Sequence, residues 1–475
     1  MAPPGSELQE ALGRAVDGMS TRETSRFALG MLRPLAIRDF ALLWAGMTVS
    51  LLGDGIYFVT IAWQVYELSN APTALAVVGI AWTLPLFLFL LVGGVVSDRF
   101  DRRRIMILSD LVRGSAIGTI GVLAVTDELS LGLLLPLVAV YGAGEALFAP
   151  AFGALVPDIV PRSLLVQANS IDMVVRPLAS QFVGPAVGGL AIATIGTGGA
   201  FLLDAGTFAV SALCILGIAA RPLPTRENRN VLRDVGEGFR FVRSEKWLWG
   251  TLLAAAVSLL AFWGPWEVLV PYIVKNELGG SAGDLGLVFA AGGLGAVLAA
   301  LVMGHRKIPR RHITFMYLCW TGSSGAVMVY GLATALWQAM AAAFFSGAVA
   351  TAGMVVWMTL MQSRVPRELL GRVTSLDWMV SIGLIPVSLA LTGPIADAVG
   401  ARETLVGGGA LSAVIIVGFL YLLPGLRDGE RAELAGAGLD GPAGTDLVQN
   451  GDAGAGLEAE GNGVRAGDRD SVAGR

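Results

Sequence analysis

From about residue 41 to residue 423 the chain alternates long apolar runs with short charged breaks. Twelve runs stand out, at 41–65, 74–97, 105–126, 129–149, 171–195, 200–219, 248–273, 285–304, 313–333, 335–361, 375–396 and 404–423. A helix needs about 20 mostly apolar residues to cross the hydrocarbon of a bilayer, and each run supplies them. The runs are rich in Leu, Ala and Gly instead of alternating over about ten residues, which excludes barrel strands. The pattern predicts an all-α membrane protein with twelve transmembrane helices.

The pattern also repeats. Residues 160–173, VPRSLLVQANSIDM, realign with 365–378, VPRELLGRVTSLDW, and VSLL at 49–52 recurs at 257–260. Two sets of six helices in the same orientation therefore form two pseudo-symmetric bundles. The expected organisation is a cytoplasmic segment 1–37, a first bundle 38–220, a cytoplasmic linker 221–246, a second bundle 247–424 and a tail 425–475. Seven basic residues lie between Arg221 and Lys246, and Val231–Val242 has the amphipathic pattern of a surface helix. The tail is rich in Gly, Ala, Asp and Glu, with too few large apolar residues to offset its ordering entropy, so it is expected to be disordered.

Composition agrees with the membrane class: 54% apolar and 15% charged residues, with a mean hydropathy of +0.68. Basic residues stay on the cytoplasmic side of a membrane. With the amino terminus inside, 29 of the 33 Lys and Arg are cytoplasmic; Arg113 and Arg176 lie within helices, Lys275 and Arg402 outside. Both termini are thus expected in the cytoplasm. The net charge of −4 averages a basic membrane face with an acidic tail. Residues 1–37 hold no long apolar run, so no cleavable signal peptide is expected. Cys214 and Cys319 lie inside apolar segments and read as packing residues. Arg outnumbers Lys by 30 to 3, a bias associated with GC-rich bacterial genes.

Charged groups inside a membrane helix are costly and usually paired or functional. Asp110 and Arg113, spaced by three, and Asp172 and Arg176, spaced by four, can each form a pair on one helix face. With Glu145 and Asp98 they read as a structural or gating network toward the cytoplasmic face. Asp54 in the first segment, Asp204 in the sixth and Glu267 in the seventh have no Lys or Arg at their depth. A lone acid of this kind is neutral when closed off and ionised when water reaches it, which is what proton coupling requires; it can also attract a cationic substrate. An outer-end acid wetted by an extracellular vestibule is the plainer alternative. Trp263 and Trp266 flank Pro265 just before Glu267, and with Trp357 they are candidate cavity aromatics.

Residues 91–106, LVGGVVSDRFDRRRIM, form a short charged loop between two spans. Gly94, Asp98, Arg99, Arg102 and Arg103 resemble the signature between helices 2 and 3 of the major facilitator superfamily, with Asp101 where that family has Gly. GPAVGG at 184–189 resembles the core of that family's antiporter motif through Gly184, Pro185, Gly188 and Gly189, with Ser180 replacing an expected Gly. Gly393 and Pro394 stand near the equivalent place in the second half. Val138 occupies the position where many drug/proton antiporters carry Arg ahead of a Gly such as Gly142. The stretches 40–55, 199–213 and 369–381 bring the chain closer to the third drug:proton antiporter group, which includes macrolide and siderophore exporters, and the resemblance runs over about 36–424.

The resemblance implies secondary active export of a hydrophobic or amphiphilic small molecule (drug, antibiotic or siderophore) in exchange for protons, from the bacterial inner membrane, by a monomer. The partners expected are substrate, protons and lipid, with no cofactor, no metal and no nucleic acid. An importer or lipid translocator of the same fold is the alternative. A membrane-embedded enzyme is the more distant one: His305 and His312 are the only histidines, no Cys/His ligand spacing occurs, no Gly-x-x-x-x-Gly-Lys-Ser/Thr loop is present, and GGLG at 292–295 is a helix-packing run.

Overall fold

The computed structural model describes residues 32–219, 231–306, 308–428 and 430. The amino-terminal segment up to residue 31, part of the linker and most of the predicted tail lie outside them. The described residues through Arg427 form one compact unit, and the separate unit from Asp428 onward is described only at Asp428 and Glu430.

Twelve helices follow the twelve apolar runs. The first four are α1 (Arg38–Leu68), α2 (Pro72–Arg99), α3 (Arg102–Val125) and α4 (Leu131–Ile159). Leu165–Pro177, a π-helical turn at Leu178–Val183 and Gly184–Leu216 follow without a loop, but Gly196 at φ 74° and ψ 172° reverses the chain. That left-handed backbone suits only glycine, and it separates α5 (165–195) from α6 (197–216). After the linker helix Val231–Ser244 come α7 (246–277), α8 (Ala282–His305), α9 (His312–Leu332), α10 (Leu336–Arg364), α11 (367–399) and α12 (Ala401–Leu422). Among the described residues ten stretches are long and apolar enough to cross a membrane; one, Gln167–Leu216, is the α5–α6 pair. The less apolar α9, carrying Thr321, Ser323 and Ser324, makes the twelfth span.

Prolines also interrupt α7 and α11. In α7, π-helical turns at Pro265–Leu269 and Ile273–Glu277 bracket Val270–Tyr272, because Pro265 and Pro271 each remove a backbone donor. In α11 the helix breaks at Leu384, two residues ahead of Pro386.

Within the first six helices α1 packs on α5 and α6, α2 on α4, and α3 on α4 and α6. Within the second six α8 packs on α10, α9 on α10 and α12, and α7 on α11 and α12. The two sets meet chiefly through α2 with α11 and α5 with α8. Those contacts need small residues. A Cβ on Gly286 would sit 2.6 Å from the Pro185 carbonyl oxygen, and one on Gly393 would sit 2.7 Å from Thr73 Cα. The linker helix docks on the second set, where Arg372 of α11 pairs with Glu237.

The loop between α2 and α3 shows why Asp101 can stand in for glycine. Its φ of −59° needs no left-handed conformation, and its carboxylate caps α3 by accepting from the Arg103 backbone N–H at 3.0 Å. Losing an N-cap to Ala costs about 1 kcal/mol, and to Gly only a few tenths. Asp101→Ala is therefore expected to lower the unfolding temperature in detergent more than Asp101→Gly; equal shifts would count against the cap.

Candidate functional site

The face bearing the 102–104 loop and the linker helix is called the basic face here, and the opposite one the far face. Arg102 donates to the Ala154 carbonyl at 3.1 Å and pairs with Asp158, while Arg103 donates to the Ile215 carbonyl at 3.0 Å and to that of Leu216. The loop arginines thus tie down the C-terminal ends of α4 and α6, where cations oppose the helix dipoles. Gly94, Asp98 and Arg99 occupy the last turns of α2, and the side chains of Asp98 and Arg99 lie outside the described residues.

Deeper in the first set, α1, α3, α4 and α6 bring acids around one cation. Arg113 Nη2 donates to Asp110 Oδ1 at 2.6 Å, and its Nη1 lies 4.0 Å from Asp54 Oδ1. The guanidinium carbon is 4.5 Å from the ring centroids of both Phe148 and Phe208. Tyr141 donates its hydroxyl to the same Asp54 oxygen at 3.1 Å. One turn along α4, Glu145 accepts from the Trp82 indole at 2.8 Å. Asp204 is fully buried against α1: a Cβ on Gly53 would strike its carboxylate, Thr207 Oγ1 lies 3.3 Å from its Oδ1, and its Oδ2 has no partner among the described residues.

This arrangement corrects one expectation: Asp54 does have a cation at its depth. Arg113 lies eleven residues into α3, about 16 Å along a helix rising 1.5 Å per residue, which is midway through a core about 30 Å thick. Assigning Arg113 to the face placed it too shallow. Asp172 and Arg176 form their own pair at 3.2 Å, with Arg176 also reaching Met47 Sδ at 3.8 Å.

Glu267 stands apart from this cluster. The π-helical turn at Pro265 turns it toward the first set, where it borders a void of about 20 Å³ with Tyr57 and Phe58 of α1 and Gly79 and Trp82 of α2. Its one hydrogen-bond partner among the described residues is the Trp263 indole, at 2.6 Å. Trp266 belongs to an aromatic seam, with ring centroids 6.1 Å from Phe58 and 6.2 Å from Phe289.

The large opening lies in the second set. A cavity of about 450 Å³ is framed by α7, α9, α10, α11 and α12, with Gln181 reaching in from α5. Trp263, Trp320 and Trp357 wall it, and Asp377 borders it with Oδ2 held by the Trp357 indole at 3.2 Å. Sequence pattern alone does not single out Trp320, Asp377 or Tyr141, nor does it give Trp82 an acid to hold. For Asp377 a signal existed, since the internal repeat aligns it with Asp172.

The GPAVGG motif serves two seams. Cβ atoms on Gly184 and Gly188 would lie 2.8 Å and 3.0 Å from Gly55 Cα and Ile56 Cα of α1, whereas one on Gly189 would lie 3.0 Å from the Ala282 carbonyl oxygen of α8. Toward the far face the sets are also latched by polar contacts. Tyr66 donates to the Val268 carbonyl at 2.7 Å, Lys275 to the Tyr66 carbonyl at 2.7 Å, Asn70 to Asn276 at 2.8 Å, and Thr73 to Asp397. Among the residues with described side chains, every hydrogen bond between the two sets is one of these four.

Comparisons with known proteins agree with this architecture. The family described as transmembrane secretion effector, a major facilitator family, matches residues 29–449. The chain is 30% identical over 391 residues to the enterobactin exporter EntS of Shigella boydii, covering 79% of this chain and 89% of that protein. It is equally similar to the enterobactin exporter EntS of Escherichia coli, with the same coverage. Among solved structures, the nucleoside transporter NupG superposes with a TM-score of 0.66 at 9% identity over 81% of this chain and 99% of its own. A bacterial homologue of the iron transporter ferroportin, in an inward-facing state, superposes with a TM-score of 0.61 at 13% identity and the same coverages.

Proposed function

We propose, for a chain that belongs to the transmembrane secretion effector family of the major facilitator superfamily, that it exports a hydrophobic or amphiphilic small molecule in exchange for protons by alternating access. Membership makes it a multi-pass membrane transporter and not an enzyme. The basic face is the cytoplasmic one, with both termini there, in the inner membrane of a bacterium. Residues 38–220 and 247–424 act as two bundles joined by the linker 221–246, and a single chain is the working unit.

The observation that carries this reading is that, among the residues with described side chains, the hydrogen bonds between the sets gather at the far face, while the large cavity lies in the second set toward the basic face. A cavity framed by α7 residues 251–263, from the half of the helix that begins at Lys246, fits a state that receives cargo from the cytoplasm. Proton coupling falls to the acids around Arg113. One guanidinium serves both Asp54 and the buried Asp110, with Glu145 and the fully buried Asp204 nearby, so neutrality requires protons on some of these acids. Opening toward water lets them leave. Glu267, at the seam between the sets, is the second candidate, placed where rocking of the sets would change its exposure.

The test is transport in sealed proteoliposomes under an imposed pH gradient, with a macrolide, a dye and a siderophore as probes. Movement of a probe against its gradient, driven by protons moving the other way and abolished by a protonophore, is the expected result. Protonophore-insensitive movement would overturn the coupling, and co-movement with protons would indicate an importer.

A further inference from the structure

We infer that the cavity of the second set is a site for an organic cation, in which a protonated amine or quaternary centre sits beside Asp377 between the faces of Trp263, Trp320 and Trp357. The inference rests on the transporter reading and adds the chemistry of the cargo.

Charge is the first argument. Among the described residues lining the cavity, Asp377 is the one charged side chain; the other polar ones are hydroxyls and the amide of Gln181. Asp377 is only 8% exposed and makes no ion pair among the described residues. Its Oδ2 accepts from Trp357, which leaves Oδ1 for the cavity. A carboxylate withdrawn from water without a cation beside it is costly, and a cationic ligand is the partner that offsets this cost. An anion would meet the same carboxylate in a medium of low dielectric, where repulsion is strong.

Shape and surface are the second argument. About 450 Å³ is the size of a site for a drug-sized molecule. Three indoles converge on it, with Trp320 and Trp357 edge to face at 6.4 Å, and indole faces are the strongest of the aromatic attractors for cations. Trp357 joins the two features, because its N–H fixes the carboxylate while its ring forms wall. Hydroxyls such as Ser258 and Ser323 add hydrogen-bonding capacity without charge. Among the described lining residues none offers a counter-charge to a carboxylate or phenolate cargo.

A matched pair of probes tests this directly. Tetraphenylphosphonium and tetraphenylborate have the same shape and opposite charge, so their binding to the full chain in nanodiscs, followed by tryptophan quenching with empty nanodiscs subtracted, isolates the sign of the site. The cation is expected to bind at least about tenfold more tightly than the anion, as suits one charge contact plus an aromatic wall. Asp377→Asn is expected to weaken cation binding about tenfold and erase the preference, while Asp377→Glu keeps it. Equal binding of the two ions, preference for the anion, or unchanged cation binding in a folded Asp377→Asn protein would each overturn the inference. If that variant does not fold, the ratio measured on the unaltered chain decides alone. Binding is read without any gradient, so loss of proton-driven export with cation preference retained would sink the export reading only. Export with no cation preference would sink only this inference.

Discussion

Arg113→Leu should abolish transport and destabilise the protein by about 3–5 kcal/mol, the usual cost of removing one member of a buried charge pair. Arg113 is 3% exposed and Asp110 1%, so neither has water to fall back on. The 2.6 Å bond between them and the 4.0 Å approach to Asp54 are the polar contacts that hold the guanidinium. The network is already short of partners: Arg113 Nε and Asp110 Oδ2 have none among the described residues. Once the cation is gone, the buried Asp110 carboxyl faces a dry interior without a partner cation, and the partly exposed Asp54 loses its counter-charge. Removing the second charge should therefore help, and Arg113→Leu with Asp110→Asn is expected to recover most of the unfolding temperature in detergent. Transport should stay absent in the double variant, because Asp54 then lacks the cation that distinguishes its charged and neutral states. A double variant no more stable than the single one would show that charge imbalance is not the cause. Proton-driven transport by Arg113→Leu would remove the network from the mechanism.

The same residue shows what could be read from the sequence and what could not. All twelve helices are legible because each apolar run meets the bilayer length and most end beside glycine, proline or charge. Even the reversal at Gly196 falls in the gap between the runs 171–195 and 200–219. The Asp110–Arg113 and Asp172–Arg176 pairs were legible too, since helix spacing alone brings them together. What an acid faces depends on how its helix is rotated and tilted. These helices are apolar on every side, so the pattern defines no inward stripe and rotation is set by packing against neighbours. The pattern therefore assigns Arg113 to the face instead of to Asp54, and it does not single out Asp377 although that residue lies within the repeat at 365–378. Proximity in sequence groups Trp263 with Trp266, yet the π-helical turn at Pro265 leaves Trp263 on the cavity and Trp266 in the seam with Phe58. Whether a proline kinks a helix or widens it to a π turn is decided by its surroundings.

Gly286→Leu should release the far-face latch and stop the transport cycle, and cross-linking can report it. The α5–α8 seam works because both sides lack side chains. A Cβ on Gly286 would lie 2.6 Å from the Pro185 carbonyl and 2.9 Å from Gly189 Cα, with backbone as the obstacle in each case. Backbone cannot rotate away as a side chain does, so leucine here is expected to force the two helices apart. Overpacking of this kind typically costs about 1–3 kcal/mol, enough to shift a two-state balance by roughly fivefold to a hundredfold. The cost falls only on the state in which the far face is closed, so the opposite state should gain population. Asn70 and Asn276 supply the reporter, since their side chains meet across the sets at 2.8 Å. In an Asn70→Cys, Asn276→Cys protein a short bismaleimide should link the pair readily. Adding Gly286→Leu is expected to cut that yield several-fold and to increase labelling of a far-face cysteine by an impermeant reagent. Gly286→Ala, with one carbon in place of four, should give a smaller shift in the same direction. Cross-linking unchanged by leucine would mean that the glycine seam does not control closure. Cross-linking lost without new labelling would mean that the helices had separated without opening a path.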